Sequence, residues 1–372
     1  MEYQKKSSKN VSTRSTTILL VLLSLIFLGS VIFTLIKQRN VVRREQALVA
    51  MQKAEESLKI AQDLVGLDDE EARERLNLGR EELLRAERLG IPERRANDVR
   101  ENFLEIENQI LKIQELTVRK VFDFSSIGEK TDLVSVVFVP GSESLLLLDK
   151  KSSKLWHFSN LTASQPVVET ISLSFPGNLE GLSASEEGML VWGTQGFARL
   201  QPSLELGEVQ SLDSGWQVTD VSLFSDWVYV LSSAQNQVFK FYPSVFGYDY
   251  VPWLGEEIEV GGHSLMLIDG DIYIWSESFY KFRRGVEQDF YVRTQLDLPL
   301  EQIAAMAGWQ NSNFLYLLDP KNVRVLKFDK YGVLDAQFRT DKLRNARDLA
   351  LSSDEKYLYF VTENKLFMGL LE

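Results

Sequence analysis

The chain contains no cysteine in its 372 residues. Disulfide bonds, thiolate metal ligands and cysteine nucleophiles are therefore excluded, and the redox compartment stays open. Histidine is almost as scarce, since only His157 and His263 occur. The sequence also lacks the HExxH, GxSxG, P-loop and GxGxxG motifs, which mark metalloproteases, serine hydrolases and nucleotide-binding folds. We expect a protein that is not an enzyme and uses no cofactor.

Aromatic residues are rare in the first third of the chain. Of the 7 Trp, 12 Tyr and 21 Phe, only Tyr3, Phe27, Phe33 and Phe103 precede residue 121. Helix-forming residues dominate before residue 118 and β-forming residues after it, so more than one domain is expected. The net charge of -12 falls mainly on residues 119–372. Such an acidic surface argues against nucleic acid as a partner.

One long apolar run lies near the N-terminus, at Ile18 to Ile36, and it carries no charge. At 1.5 Å per residue a helix of this length spans about 28 Å, close to the roughly 30 Å hydrocarbon core of a bilayer. A cleaved signal peptide is the alternative. However, the run is longer than a signal-peptide core, and Lys37 and Arg39 follow it in place of a small-residue cleavage site. We predict a short basic tail at 1–17 and a single membrane span at 18–36.

Basic residues flank both ends of the predicted span, with Lys5, Lys6, Lys9 and Arg14 on one side and Lys37, Arg39, Arg43 and Arg44 on the other. The positive-inside rule is therefore nearly balanced. Because a 17-residue tail is too short for a domain, we predict a cytoplasmic N-terminus and an extracytoplasmic C-terminal part in the cell membrane. A scaffold that faces the cytoplasm is the alternative.

Residues 37–117 show the periodicity of packed helices. Small and apolar residues alternate at spacings of three and four in three segments: Ala47, Met51, Ala54, Leu58, Ala61 and Val65; Ala72, Leu76, Gly79, Leu83 and Ala86; Ala96, Val99, Phe103, Ile106, Ile110 and Ile113. Helix-ending and helix-starting residues mark breaks near 66–68 and 90–92. Breaks this short predict a three-helix antiparallel coiled-coil stalk. The same stripes could instead serve self-association of the stalk.

Six short β-prone runs follow, each ending at a turn. Their residues before the turn are Leu148, Trp192, Leu231, Trp275, Leu318 and Val361, at intervals of 44, 39, 44, 43 and 43 residues. Each interval has room for about four strands, the size of one propeller blade. We predict a six-bladed β-propeller over residues 118–372, and a chain that is mainly β overall. The strand at 119–124 is expected to complete the last blade and close the ring, which removes exposed sheet edges.

The fifth unit carries a recognisable segment, DPKNVRVLKFDKYG at residues 319–332. It resembles the NHL repeat through Asn322, Arg324-Val325, Phe328-Asp329 and Gly332, whereas the second unit departs most from the repeat. The whole layout resembles the membrane-anchored NHL sensor modules that some bacterial receptor kinases carry outside the membrane, without the kinase. This resemblance implies a six-bladed propeller.

Residues 241–253, between the third and fourth β-prone units, are dense in aromatic side chains. Exposed aromatics are frequent anchors for a partner, so we take these as candidate ligand-binding residues: Tyr242, Phe246, Tyr248, Tyr250 and Trp253. The alternative is that they cover a seam between blades.

No metal site is predicted. Asp149 and Asp319 occupy equivalent turns, but Gly193, Ser232, Ser276 and Thr362 stand there in the other units, so a ring of carboxylates for Ca²⁺ is not formed. His157 is expected to be structural, since it lies in a strand between two aromatic residues. His263 follows two glycines in a turn and is a lone candidate ligand.

These patterns favour a non-catalytic, membrane-tethered module for binding, sensing or scaffolding. Its partner would be a protein or a cell-envelope polymer on the propeller face. The alternative is a hydrolase- or lactonase-like propeller with a metal in its channel. Tightly bound metal and loss of stability with EDTA would distinguish the enzyme from the binding module.

Overall fold

The computed structural model describes residues 13–163, 165–213, 215–245, 247–293 and 296–371, with side chains from residue 20 onward. The chain divides into two compact units, and the boundary in sequence lies between Ile110 and Leu111. In its described part, the first unit contains three α-helices: α1 (Thr13–Leu64), α2 (Asp69–Arg88) and α3 (Glu93–Ile110).

Helix α1 runs without a break through the apolar run and into the first segment with packed-helix periodicity. Residues 20–46 are all exposed, and the first buried residue is Ala47. From there on, small and apolar residues of α1, α2 and α3 form one shared core. The predicted seam residues other than Ile113 lie in this core or, for Val65, at its margin.

The helix ends follow from their sequence. The side chain of Asp68 accepts a hydrogen bond from the backbone N–H of Glu71 at 3.0 Å and caps α2. Gly79 is needed in the middle of α2, because a Cβ there would lie 2.6 Å from the ring of Phe103. Helix α3 ends at Ile110, so Ile113, the last residue of the predicted seam, lies outside the helices.

The second unit is built of strands. Within the described residues they are β1 (Ile113–Glu115), β2 (Val118–Asp123), β3 (Leu133–Phe138), β4 (Ser144–Asp149), β5 (Lys154–Ser159), β6 (Val167–Ser172), β7 (Leu179–Ser185), β8 (Gly188–Gly193), β9 (Gly196–Leu200), β10 (Leu206–Ser211), β11 (Val218–Phe224), β12 (Trp227–Ser232), β13 (Gln237–Ser244), β14 (Gly247–Pro252), β15 (Leu265–Ile268), β16 (Ile272–Trp275), β17 (Phe279–Arg283), β18 (Val286–Gln288), β19 (Ala305–Ala307), β20 (Phe314–Asp319), β21 (Arg324–Asp329), β22 (Leu334–Arg339), β23 (Asp348–Leu351), β24 (Tyr357–Thr362) and β25 (Lys365–Leu370). Short 3₁₀ helices lie at Phe124–Ile127 and Asp341–Asn345.

The strands form six sheets, the blades of a six-bladed β-propeller. Blades 1 to 4 are β3–β6, β7–β10, β11–β14 and β15–β18, each in chain order from the inside outward. Blade 5 is β19–β22 and blade 6 is β23–β25, each with one added strand. The six predicted runs are the second strands of the blades, and their apolar side chains fill the cores between neighbouring blades.

The N-terminal strands of this unit join blades 5 and 6. As predicted, β2 pairs antiparallel with β25 and completes blade 6, so the start and end of the propeller share one sheet. Strand β1 was not predicted: it pairs in parallel with β22 and adds a fifth strand to the outer edge of blade 5. Residues 111–117, which the sequence grouped with the helices, thus belong to the compact unit of the propeller.

Candidate functional site

The six inner strands enclose a central channel with a volume of about 990 Å³. Residues at or before the start of these strands, including Glu180, His263 and Arg347, lie at one mouth, which is polar. Residues at or beyond the strand ends, such as Phe138 and Trp309, make the opposite mouth more apolar. Two carboxylates, those of Asp220 and Asp348, lie between the mouths.

The charged mouth is largely neutralised by ion pairs. Lys150 pairs with Glu180, and Arg347 pairs with Asp132. His263 is exposed there, so the lone candidate ligand from the sequence does reach the channel. Among the described residues no group of three or more His, Asp or Glu side chains is placed to hold a metal ion.

One position on each inner strand lies opposite the residue that ends each predicted run. The six residues at this position are Ser135, Gly181, Asp220, Leu265, Ala305 and Asp348, in blades 1 to 6. The two carboxylates therefore come from equivalent places in blades 3 and 6, which lie across the ring from each other. The other four positions are small or apolar, apart from the serine.

Asp348 joins the last blade to the first. Its Oδ2 accepts hydrogen bonds from the hydroxyl of Ser135 and from the backbone N–H of Val136, both at 2.7 Å. Its Oδ1 accepts from the backbone N–H of Leu349 at 2.8 Å. The carboxylate thus links blades 6 and 1, between which the ring closes.

Asp220 links blades 3 and 4 in the same way. One oxygen accepts from its neighbour Val221 and the other from the backbone N–H of Met266 in β15, each at 2.8 Å. Serine hydroxyls also link blades: that of Ser135 accepts from the N–H of Leu182, and that of Ser183 accepts from the N–H of Leu223. Channel-lining side chains therefore join the inner strands of blades 6 and 1, 1 and 2, 2 and 3, and 3 and 4.

Both carboxyl groups titrate well above the usual range of aspartate. Each side chain is partly exposed to the channel, but protein atoms surround most of it. This burial raises the pKa of Asp220 to about 7, with a small further rise from the charge of Asp348. Burial likewise raises the pKa of Asp348 to about 6, although its hydrogen bonds oppose the change.

Blade 2 has an aromatic ring at the place where blades 3 and 6 have a carboxylate. Gly181 stands at the equivalent position, and a Cβ there would lie 2.6 Å from the indole nitrogen of Trp192. The indole occupies the space that a side chain takes in the other blades. This explains why the residue before the turn is tryptophan in this blade, where most others have leucine or valine.

The two aspartates noted at equivalent turns are not in the channel lining. Asp149 accepts hydrogen bonds from Asp132, Lys151 and Ser152 at its own turn. Asp319 is fully buried and pairs with Arg324. His157 lies half-buried on β5, opposite Glu169 on β6, away from the channel.

The NHL-like segment builds a buried polar network in blade 5. The guanidinium of Arg324, with no exposed surface, bonds to Asp319 and Asp297 at 2.9 Å each and to the carbonyl of Leu298 at 2.7 Å. It also bonds to Gln337, whose amide donates to the carbonyl of Leu111. Arg324 therefore holds together the turn of blade 5, the loop before it and the strand that enters the propeller.

Residues 241–253 form the outer hairpin of blade 3 together with the start of the next connection. None of the described candidates lines the channel. Phe246 lies outside the described residues. Tyr248 bonds through its hydroxyl to Arg199 of blade 2 at 2.9 Å, and its ring meets Phe197 edge-on. This one candidate thus covers the seam between blades 2 and 3.

The remaining candidates divide between the two faces of blade 3. Tyr250 is 49% exposed but rests on Trp216, Phe239 and Phe241 on the face toward blade 2. Trp253 is half-buried and meets the ring of Tyr229 edge-on. Tyr242 lies on the opposite face from Tyr250 and is 36% exposed.

Tyr242 belongs to a group that we call the third-blade patch: Trp227, Tyr242 and Val251, which are 36–41% exposed, and the half-buried Lys240. The strand register places these side chains on one face, which is turned toward blade 4. The Nζ atom of Lys240 lies 3.1 Å from the centre of the Trp227 ring, and partial burial lowers its pKa.

Sequence reasoning found Tyr242 and missed Trp227, Lys240 and the two channel aspartates. Trp227 opens a second strand and looked like one more core residue of the repeat. The signal available was its position one place before the apolar core of WVYVLS, where the other blades carry small, polar or aromatic residues.

The fold is similar to that of known proteins, without a match in sequence. No protein-family model and no curated protein matches the chain. A gluconolactonase from Xanthomonas campestris superposes with a TM-score of 0.52 and 10% identity, over 70% of this chain and 92% of that one. Virginiamycin B lyase from Staphylococcus aureus gives 0.49 and 10%, over 69% and 100%. The soluble aldose sugar dehydrogenase from Escherichia coli gives 0.46 and 12%, over 68% and 99%. At these identities the similarity concerns the fold alone.

Proposed function

We propose that this chain is a non-catalytic binding module, held at the cell membrane by its N-terminal helix, with an NHL-like propeller that recognises a protein or a cell-envelope polymer. The observation that carries the proposal is the third-blade patch. Two exposed aromatic rings, a lysine and a valine form one surface on a disc whose channel carboxylates are already used to join blades. Tryptophan and tyrosine are the residues most enriched where proteins bind partners.

The membrane anchor is supported by the first part of α1. Its 20–36 stretch is exposed on every side, and its mean hydropathy reaches 2.4. Apolar side chains that no protein core covers are stable in lipid. A signal sequence has the same length and composition, so the anchor needs an experiment of its own.

The helices are proposed to act as a coiled-coil stalk. Their shared core contains many alanines, which suits close packing of three helices and equally the pairing of two chains. The NHL assignment is supported by the roles of its residues in blade 5. Arg324 and Asn322 both bond to Asp319, and Asp329 accepts two backbone hydrogen bonds in the next turn.

Lack of catalysis is supported by how the channel uses its polar groups. Asp220 and Asp348 accept two and three hydrogen bonds, and the basic residues of the mouth pair with carboxylates. A general base or nucleophile needs an oxygen or nitrogen free to reach a substrate. The two aspartates and the paired basic residues are engaged within the protein, whereas His263 at the mouth is exposed.

Affinity capture tests the binding proposal. The full-length, tagged chain is solubilised from its own membranes, or incubated with purified envelope polymer, and bound material is quantified. The Trp227→Ala and Tyr242→Ala variants should lose most of the bound partner. Tyr331→Ala, which removes an equally aromatic but 71% exposed side chain on blade 5, should keep it. Equal capture by all three variants would show that the third-blade patch does not bind the partner.

A second candidate function has an observation in its favour. A 990 Å³ channel with two carboxyls of raised pKa also fits an enzyme that uses Asp220 or Asp348 as an acid or as a metal ligand. Metal content and the melting temperature with and without EDTA distinguish the two. One tightly bound metal per chain, with stability lost on chelation, would favour the hydrolase-like enzyme.

The proposed topology places the N-terminus in the cytoplasm and the propeller outside. Fusions of a periplasm-specific and a cytoplasm-specific reporter to the C-terminus decide between the two sides. Activity of the periplasmic reporter alone is expected. Activity of the cytoplasmic reporter alone would favour the scaffold that faces the cytoplasm.

A further inference from the structure

A group of basic residues surrounds the end of the helical unit that is nearest the apolar run. Residues 37–46 of α1 carry four basic side chains and one acidic one, all exposed. We call the basic collar the set Lys37, Arg39, Arg43, Arg44, Arg88 and Arg94. Among the described residues, no carboxylate lies within ion-pair distance of any member of this set, although nearly every other arginine of α2 and α3 has such a partner.

Arg88 and Arg94 are distant from the apolar run in sequence but close to it in the fold. The guanidinium of Arg43 donates a hydrogen bond to the backbone carbonyl of Arg88 at 2.7 Å, which sets the α2–α3 turn beside Arg43. Arg43 is seven residues beyond Ile36, about 10 Å along the helix, and its extended side chain reaches a turn that stands farther from the apolar run. Lipid headgroups extend roughly 5–8 Å beyond the hydrocarbon on each side. Lys37 and Arg39 therefore reach the phosphate layer, and the α2–α3 turn lies within about one Debye length, roughly 8–10 Å, of it.

Helix electrostatics account for only part of the collar. Arg88 lies in the last turn of α2, where a cation is favourable. Arg94 lies in the first turn of α3, where a cation is unfavourable. Its neighbour Arg95 reaches Glu55 at 2.9 Å, whereas Arg94 is exposed without such a partner. Arg39 and Arg44 stand in the middle of a continuous helix, where there is no helix end for them to stabilise.

The rules of membrane insertion also leave Arg88 and Arg94 unexplained. Basic residues influence orientation when they lie within about 15–20 residues of a span in sequence. Arg88 and Arg94 lie more than 50 residues beyond Ile36. They share with Lys37 and Arg39 their position at the end of the helical unit nearest the apolar run.

The other end of the helical unit has the opposite charge. Residues 63–71 around the α1–α2 turn include Asp63, Asp68, Asp69, Glu70 and Glu71 and no basic residue. The unit is thus basic toward the apolar run and acidic away from it. A generally charged, solvated surface would not separate in this way.

We propose that the basic collar binds the headgroups of anionic phospholipids and seats the helical unit on the membrane surface. This inference rests on the proposed membrane anchor. Each Lys or Arg near an anionic bilayer contributes an attraction that changes binding about fivefold. Six such residues at the end of the unit nearest the bilayer, drawn from three helices, would fix the axis of the unit relative to the bilayer.

Lipid selectivity of the full-length chain tests the proposal. The chain is reconstituted in phosphatidylcholine nanodiscs with a trace of spin-labelled phosphatidylglycerol or phosphatidylcholine, and the immobilised fraction of each is measured. The wild type should prefer phosphatidylglycerol several-fold, and about 0.5 M salt should reduce this preference because it screens surface charge. The Arg88→Gln/Arg94→Gln variant should lose most of the preference. Lys59→Gln/Arg75→Gln, which removes two basic side chains from the half of the unit away from the apolar run, should keep it.

The outcomes separate the collar from the anchor. A chain that does not enter nanodiscs contradicts the anchor. A chain that enters but shows no preference for phosphatidylglycerol, or keeps it in the arginine variant, overturns the collar and leaves the anchor standing. Equal competition by soluble inorganic phosphate would show a general anion site and overturn the assignment to lipid. Circular dichroism of each variant verifies that helix content is unchanged.

Discussion

The carboxylate of Asp348, in the last blade, accepts a hydrogen bond from the backbone N–H of Val136, in the first blade, at 2.7 Å. These two residues lie more than 200 positions apart in sequence, and their bond crosses the seam where the ring closes. The outer strand β2 closes the same seam from the rim through its pairing with β25. The ring is therefore fastened at its inner and outer edges.

Loss of the inner fastening should destabilise the propeller. Asp348→Ala leaves the N–H of Val136 and the hydroxyl of Ser135 without their acceptor, and a hydrogen bond to a neutral group contributes about 0.5–1.5 kcal/mol. We expect the free energy of unfolding at pH 5, where the raised pKa keeps the carboxyl protonated in the folded state, to fall by about 1–3 kcal/mol in urea titrations. Asp341→Ala in the same connection, with a side chain 92% exposed, should leave it unchanged. An equal effect of both variants would contradict the role of Asp348.

Stability should decrease as the pH rises toward neutrality. The folded-state pKa values of Asp220 and Asp348, about 7 and about 6, lie above the value near 3.9 of an unfolded aspartate. Between these limits the folded state binds more protons, so the stabilisation is complete below about pH 4 and is lost progressively as the pH rises to about 7. The melting temperature should fall from pH 5 to pH 8.

The variants define the source of this pH dependence. In Asp220→Asn/Asp348→Asn the slope of melting temperature against pH should flatten in that window. Asp354→Asn is the control, because hydrogen bonds from Ser352 and Lys356 lower the pKa of Asp354 to about 2, outside the window. A slope that persists in the double variant would mean that other groups cause it.

The buried arginine of blade 5 offers a comparison with an exposed pair of the same chemistry. Arg324→Met leaves Asp319 charged with no exposed surface, and breaking a buried pair in this way costs about 3–5 kcal/mol. Arg283→Met removes an arginine that also makes two bonds to an aspartate, Asp271, but is 61% exposed. We expect a large loss of unfolding free energy for the first variant and a small one for the second. Similar losses would show that the network is not what stabilises the turn.

The architecture was readable from the sequence because the second strand of each blade is buried on both faces. Runs such as Leu145 to Leu148 must be apolar throughout, and they recur at a regular interval. The closing strand was also readable, because the last predicted blade lacked one strand and residues 119–124 had the pattern to supply it. Strand β1 was not, because Ile113 continues the helical spacing of Ile106 and Ile110 although it lies in a strand.

The channel residues were not readable, for a geometric reason. In β11 the register shifts between Val218 and Asp220, and similar shifts precede Ser135 and Gly181. Such a bulge reverses which residues point inward from that position onward. Strand alternation alone therefore gives no reliable direction for Asp220. The third-blade patch was hidden for a different reason, since its side chains come from three strands whose register the sequence does not state.

Site-specific photo-cross-linking in intact membranes tests the central proposal most directly. A photoreactive amino acid replaces Tyr242 in the third-blade patch, Thr194 at the channel mouth, or Tyr331 on blade 5, each in the full-length chain. The account predicts a cross-linked partner from position 242 that disappears with Trp227→Ala, and none from position 331. Cross-links from position 194 without any from position 242 would contradict it and move the binding site to the channel.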